Sequence, residues 1–135
     1  MLEYVKVGKL NRKIFKNIDI QLITDIVIFT IERLEHVEDR RNQLYEEVKH
    51  VLPIAIYQPE YIYKDWNNRD DTLIFIKSIN ENSKICIIIK IAKLNDEKHS
   101  KNSIITMIKI GKKTFKKIYR NKSENLLYQK VDKKE

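Results

Sequence analysis

Three short apolar blocks in the second half of the chain constrain the fold most. They cover Thr72 to Ser78, Lys84 to Leu94 and Ser103 to Ile110, and they are rich in isoleucine. Two polar segments, "INENS" and "NDEKHSKN", separate them. Apolar runs of this length between polar turn segments are typical of strands, and such short connections favour antiparallel neighbours. The pattern therefore predicts an antiparallel β-meander.

The strongest helical pattern lies upstream of this meander. Thr30 is a suitable N-cap for the segment "IERLEHVEDRRNQLYEEVKHV". Winding that segment as a helix places six apolar residues on one side: Ile31, Leu34, Val37, Leu44, Tyr45 and Val48. Pro53 is expected to end the helix. The prediction is an α+β fold in which one main helix packs on a curved antiparallel β-sheet.

Weaker patterns complete the chain. "YVKVGKL" and "LLYQKV" predict a first and a last strand, and "IDIQLITDIVIF" a strand or a short helix. "GKKTFKKIYRNKSEN" is consistent with a short helix or a loop. The chain has only two glycines and two prolines, which leaves little material for linkers. We expect a single domain over residues 1–135, with residues 1–3 and 132–135 frayed.

The positive charge is concentrated in the last third. The net charge is +8, and residues 98–135 hold twelve Lys/Arg against three Asp/Glu. A basic segment beside a near-neutral remainder favours a polyanionic partner such as RNA. Solubility, or the lysine usage of an A·T-rich genome, explains the same composition.

Several classes of function are disfavoured. Cys86 is the single cysteine and sits in an apolar run, which excludes an internal disulfide and predicts a buried, inert thiol. The three histidines lack metal-ligand spacing, and the chain has no glycine-rich phosphate loop. We therefore expect no metal and no cofactor. The absence of a signal-peptide pattern and of a membrane-length apolar run predicts a cytoplasmic protein without a membrane contact.

A line of polar residues follows one side of the predicted helix. Glu32, His36 and Arg40 are four residues apart along the chain. Histidine exchanges protons near neutral pH, arginine binds phosphate with a fork of donors, and the glutamate can orient the imidazole. The same spacing is found on ordinary solvated helices that carry ion pairs.

The segment "KNSIIT" places small polar groups at the start of a predicted strand. Asn102, Ser103 and Thr106 offer an amide and two hydroxyls, which donate to phosphate oxygens without adding negative charge. Regular pleating would send Ser103 and Thr106 to opposite faces, and a bulge would relax that rule. Lys77 and Lys109, near the ends of two strands, can add cations. Asn-Ser is also common at hairpin entrances, and Thr suits strands.

Aromatic residues are frequent in "QPEYIYKDW". The candidates for stacking on unpaired bases are Tyr57, Tyr61, Tyr63 and Trp66, with Trp66 or Tyr63 first. Aromatics at strand spacing are also typical of a core.

An ordered set of segments resembles a known superfamily. "TIERLEHVEDR", "LPIAIYQPEYI", "NNRDDTLIFIK", "KNSIIT" and "LLYQK" are similar to the phage branch of the barnase–EndoU–colicin–RelE (BECR) nucleases. The similarity spans Asp25 to Lys130. It implies a RelE-like nuclease fold in a phage-derived or toxin-like protein. The implied activity is metal-independent endoribonuclease cleavage that leaves 2′,3′-cyclic phosphate ends.

The resemblance also implies roles for residues. His36 becomes the general acid or base, Arg40 the phosphate clamp and Lys77 the stabiliser of developing charge, while Ser103 and Thr106 donate to the phosphate. The expected substrate contacts are Glu32, Arg41, Asn102, Lys109 and Trp66. Arg41 stands where the family pattern has a second histidine. Either Arg41 contributes only charge, or another group supplies the second proton transfer, or the chain binds RNA and cuts it poorly.

Two other interpretations remain open on the same fold. One is a non-catalytic module that binds RNA or DNA through the basic third. The other is an interaction protein whose basic surface meets an acidic antitoxin or immunity partner. The sequence does not determine the oligomeric state.

Overall fold

A computed structural model describes residues 3–40, 42–67, 71–93 and 101–131. The strands are β1 (Tyr4–Lys9), β2 (Ile26–Thr30), β3 (Tyr61–Lys64), β4 (Thr72–Ser78), β5 (Ser83–Lys90), β6 (Asn102–Gly111) and β7 (Leu126–Gln129). The helices are α1 (Arg12–Asn17), α2 (Ile31–Arg40), α3 (Asn42–Val48), α4 (Leu52–Tyr57) and α5 (Lys112–Asn121), and a 3₁₀ turn spans Ser123–Asn125. The fold is mixed α+β, as predicted.

The strands form one seven-stranded sheet in the order β1-β2-β6-β5-β4-β3-β7. The meander of β3 to β6 is antiparallel, and β4 has the predicted bounds. The turn between β4 and β5 is held by Asn80, whose side-chain oxygen accepts from the backbone N–H groups of Asn82 and Ser83. The predicted turn between β5 and β6 lies mostly outside the described residues.

The N-terminal strands join the meander in a different way. β1 pairs antiparallel with β2, but β2 pairs parallel with β6 through Val27 opposite Asn102 and Ile28 opposite Ser103. Asn102 reinforces this short parallel contact. Its side-chain amide donates to the carbonyls of Thr24 at 2.8 Å and Ile26 at 3.0 Å.

Alternation along the strands gives the sheet two faces with different coverings. One face carries the main core, in which Phe75, Ile87 and Met107 pack against buried residues of the first four helices. We call it the α1–α4 face. The other face carries a smaller cluster around Ile76 and Cys86, covered by partly buried side chains of α5. We call it the α5 face.

The segment predicted as one main helix contains α2 and α3, which lie on either side of Arg41. Thr30 does cap α2, because its hydroxyl oxygen accepts from the Arg33 N–H at 3.3 Å. The two helices cover Ile31–Arg40 and Asn42–Val48, and Arg41 between them lies outside the described residues.

Pro53 does not end the predicted helix but lies in the first turn of α4. A proline is tolerated there because the first N–H groups of a helix have no partner within it. α4 packs tightly on β1 at Gly8, where a Cβ atom would lie 3.3 Å from the Cα of Pro53. Within the described residues, no helix combines the length and apolarity required to span a bilayer.

Candidate nucleic-acid interface

Asn102 is a buried structural residue rather than a group open to a substrate. Its side chain is fully buried. Both donors of the amide are used on Thr24 and Ile26, and its oxygen accepts from the Ala92 N–H at 2.8 Å. The amide predicted to contact a phosphate thus links three segments at the start of β6.

Ser103 and Thr106 share one face of the sheet. The register between β5 and β6 shifts by one residue at Ile105, so Ser103 lies opposite Lys90 and Thr106 lies opposite Ile88. Ile88 packs against the cluster beneath α5. The bulge therefore places both hydroxyls, each partly exposed, on the α5 face.

His36 and Glu32 lie on the other side of the molecule. Both are exposed on α2, whose Val37 and Leu34 pack into the core of the α1–α4 face. Arg40 is the last residue of α2, but its side chain and the whole of Arg41 lie outside the described residues.

The predicted lysines are also on the α1–α4 face, and each has a partner in the protein. Lys77 lies opposite Ile85 in the register and donates to the Gln58 carbonyl at 2.8 Å. Lys109 of β6 pairs with the same Ile85 from the neighbouring strand. Its ammonium forms an ion pair with Glu47 of α3 at 3.0 Å. These contacts occupy the ammonium groups that were predicted to meet a phosphate.

Trp66 lies on the α5 face, partly exposed, with its ring edge-on to Tyr63 at 5.8 Å between centroids. The structure thus brings Ser103, Thr106 and Trp66 to one face, and His36, Glu32, Lys77 and Lys109 to the opposite one. The sheet separates the imidazole from the hydroxyls. The described residues do not place them around a common pocket.

The positive charge of the last third is concentrated on α5. Lys112, Lys113, Lys116, Lys117 and Arg120 are all exposed, and the helix "KKTFKKIYRN" contains no acidic residue. We call these five residues the basic helix surface. The sequence of this segment is consistent with either a short helix or a loop, although the apolar residues Phe115 and Ile118 have helical spacing.

Aromatic contacts fix α5 on the sheet. The Phe115 ring lies 4.9 Å and the Tyr119 ring 5.8 Å from the ring of Tyr61. The Tyr119 hydroxyl donates to the Gln129 side chain of β7 at 3.2 Å. The helix is therefore anchored at both its start and its end, and its cationic residues are held on a fixed outer surface.

A polar network beneath the start of α5 was missed by the sequence analysis. Glu60 accepts from the Lys84 ammonium at 2.8 Å and from the Ser78 hydroxyl at 2.9 Å and N–H at 3.1 Å. The Lys84 ammonium also lies 4.8 Å from the centre of the Phe115 ring. In the sequence, Glu60 lies within the segment "LPIAIYQPEYI" of the resemblance, which gave it no role.

This network changes the pKa of Glu60. Partial burial by itself would raise the pKa, but the hydrogen bonds from Lys84 and Ser78 outweigh it and hold the pKa below its usual value. The charge of Lys84, which is mostly buried on the α5 face, is thus neutralised by Glu60 inside the protein. The cations of the basic helix surface have no carboxylate within ion-pair distance in the described part of the chain.

The helices α2 and α3 are acidic, whereas α1 on the same face and α5 on the other face are basic. Six exposed carboxylates belong to α2 and α3: Glu32, Glu35, Glu38, Asp39, Glu46 and Glu47. The basic helix surface lies on the other face. A polyanion attracted to α5 is therefore kept away from the helix that carries His36.

Comparison of the chain with protein-family models, with curated proteins and with solved structures finds no match. The BECR resemblance therefore stays a prediction, and the geometry of the described residues carries the functional argument.

Proposed function

We propose that this chain is a nucleic-acid-binding domain that contacts the phosphate backbone through the basic helix surface of α5. The observation that carries the proposal is the exposure of five cations on one anchored helix without an acidic residue. Charges held on a rigid element lose little entropy when they meet phosphates, and their binding releases condensed counterions.

The alternative of solubility alone fits this arrangement less well. A solubilising surface intersperses both signs of charge, whereas α5 carries five exposed cations and no carboxylate. A one-signed surface of this kind attracts and orients an approaching polyanion. An acidic protein partner, such as an antitoxin, remains a prediction of the sequence.

Binding is favoured over cleavage. The RNA cleavage implied by the resemblance requires His36 near the hydroxyls and phosphate-binding groups, but the sheet lies between His36 and both Ser103 and Thr106. Ribonuclease activity thus stays a prediction of the resemblance, and the geometry supports a binding role.

A matched pair of charge variants tests the proposal. Lys113→Gln/Lys117→Gln removes two exposed charges from α5, and Lys13→Gln/Lys16→Gln removes two exposed charges from α1 on the opposite face. Fluorescence anisotropy with a labelled RNA oligonucleotide is measured over a series of salt concentrations. The α5 variant is expected to bind more weakly. The slope of the logarithm of its binding constant against the logarithm of the salt concentration is expected to be smaller in magnitude by roughly one to two.

The α1 variant is expected to retain wild-type affinity. Equal losses in both variants would mean a general effect of net charge, and binding that is insensitive to salt would contradict phosphate contacts. Either result would overturn the proposal.

A further inference from the structure

The α5 face extends well beyond the area that α5 covers. The helix packs near β3 and β7 through Phe115 and Tyr119. The buried residues of α1, α3 and α4, and Val37 of α2, belong to the core on the other face. Among the described helices, none is placed over the part of the α5 face formed by β1, β2 and the start of β6.

The register lines up polar groups on this part of the α5 face. Lys6 lies opposite Ile28, Ile28 opposite Ser103, and Ser103 opposite Lys90, so these four residues form one row across β1, β2, β6 and β5. Lys6 is exposed, Ser103 and Lys90 are partly exposed, and Ile28 between Lys6 and Ser103 is buried. The two lysines are three strand spacings apart, about 14 Å.

An aromatic residue extends the row at the edge of the sheet. Tyr4 follows the same alternation as Lys6 and is 48% exposed, and the Lys101 ammonium lies 5.0 Å from the centre of its ring. Thr106 and the 37%-exposed Ile108 continue the same face along β6 towards the start of α5. We define the open strip as six of these residues: Tyr4, Lys6, Lys90, Lys101, Ser103 and Thr106.

The strip contains three lysines, two hydroxyls and one ring. No carboxylate lies within ion-pair distance of these lysines in the part of the chain that the structure describes. Lysines and hydroxyls suit phosphate and ribose oxygens, while the Tyr4 ring and the apolar surface of Ile108 suit the flat faces of bases. This combination differs from the basic helix surface, whose five residues are all cations.

We propose that the open strip binds a single strand of nucleic acid whose backbone continues onto the basic helix surface. The inference rests on the proposed function and adds the class of ligand. In a duplex the base faces are stacked inside the helix, so a sheet surface cannot reach them. A single strand exposes phosphates to the lysines and unpaired bases to Tyr4 at the same time. The charge complementarity and the continuity along β6 favour this occupant.

The experiment compares two probes and two matched pairs of variants. The probes are a fluorescein-labelled oligonucleotide of mixed sequence and the same oligonucleotide annealed to its complement, each as RNA and as DNA. Tyr4→Ala is paired with Tyr57→Ala, since Tyr57 is an exposed tyrosine of α4 with the Lys9 ammonium 5.7 Å from its ring. Lys6→Gln/Lys90→Gln is paired with Lys13→Gln/Lys16→Gln. Circular dichroism checks that each variant is folded.

Tyr4→Ala is expected to weaken binding of the single strand roughly tenfold, as loss of one stacked base predicts. Lys6→Gln/Lys90→Gln is expected to weaken it several-fold and to lower the salt dependence. Duplex binding, which depends on α5, is expected to change little in either variant, and both control variants are expected to bind as the wild type does.

The outcomes separate this inference from the proposed function. If the strip variants bind the single strand normally while Lys113→Gln/Lys117→Gln binds poorly, the strip is not part of the interface and the α5 proposal stands. If the strip variants lose duplex and single strand equally, the preference for a single strand is overturned. If neither the strip nor the α5 variants change binding, the proposed function itself fails.

Discussion

The Lys84 ammonium and the Glu60 carboxylate lie 2.8 Å apart beneath the first turns of α5. Both side chains are about three-quarters buried, with relative exposures of 21% and 25%. The pair connects the start of β3 with the start of β5 and supports the Phe115 ring from below. The helix that carries the proposed interface thus rests on an internal ion pair.

Glu60→Gln is expected to destabilise the protein at neutral pH and to destabilise it less in acid. The pKa of Glu60 is lowered in the folded state, so its contribution is fully present above the unfolded pKa, near 4.5, and falls as pH drops through the folded pKa. Urea denaturation of wild type and variant at pH 7 and pH 3 measures this. The difference between the two midpoints is expected to be largest at pH 7 and smaller at pH 3. Glu35→Gln, an exposed carboxylate of α2, is the control, and a difference of the same size at both pH values would contradict the argument.

Asn102→Ala is expected to cost about 2–4 kcal/mol of folding free energy, because it leaves one buried N–H and two carbonyls without partners. Chemical denaturation measures the loss. Ser103→Ala, at the adjacent and partly exposed position, is expected to change stability by less than about 0.5 kcal/mol. Equal stability of the two variants would mean that Asn102 does not hold the start of β6 in place.

Tyr63→Phe is expected to stabilise the protein by roughly 1 kcal/mol, since it removes a buried polar atom that is not hydrogen-bonded. The Tyr63 side chain is fully buried, its hydroxyl has no partner among the described residues, and burial raises its pKa to about 12. Thermal or urea unfolding measures the gain. Tyr119→Phe, which loses a bond to Gln129, is expected to show a small loss instead. A loss in Tyr63→Phe would show that the hydroxyl is hydrogen-bonded in solution.

RNA incubated with the protein in the presence of a chelator is expected to stay intact at protein concentrations that bind it. His36 and the two hydroxyls of β6 lie on opposite faces, so proton transfer and phosphate binding are not combined there. Gel electrophoresis of the RNA measures this. Fragments with 2′,3′-cyclic phosphate ends that vanish in His36→Ala, and persist in the exposed control His50→Ala, would show that the chain is a ribonuclease.

The sheet was more predictable than the arrangement of its faces. β4 and β6 follow from local apolar patterns, because each strand buries apolar side chains against its neighbours in the chain. The faces depend on contacts that local patterns do not contain. Asn102 and Ile26 are 76 residues apart, and the bulge at Ile105 reverses the expected separation of Ser103 from Thr106.

The candidate interface was only partly predictable. The excess of Lys and Arg in the last third was visible in the sequence, and five of those twelve residues lie on α5. The helix depends on Phe115 meeting Tyr61, which lies far upstream in the chain, so its local sequence was ambiguous. His36 and Arg40 were predicted from helical spacing, which fixes a line on a helix but not the side of the sheet on which that helix lies.

The parallel pairing of β2 with β6 has a consequence for synthesis of the chain. The first two strands leave the ribosome long before Asn102 and Ser103, the residues they must pair with, have been translated. Until then β2 has an unpaired edge that other nascent chains can reach. We expect folding to be completed only after β6 has emerged, which makes the N-terminal strands the segment most exposed to chaperones.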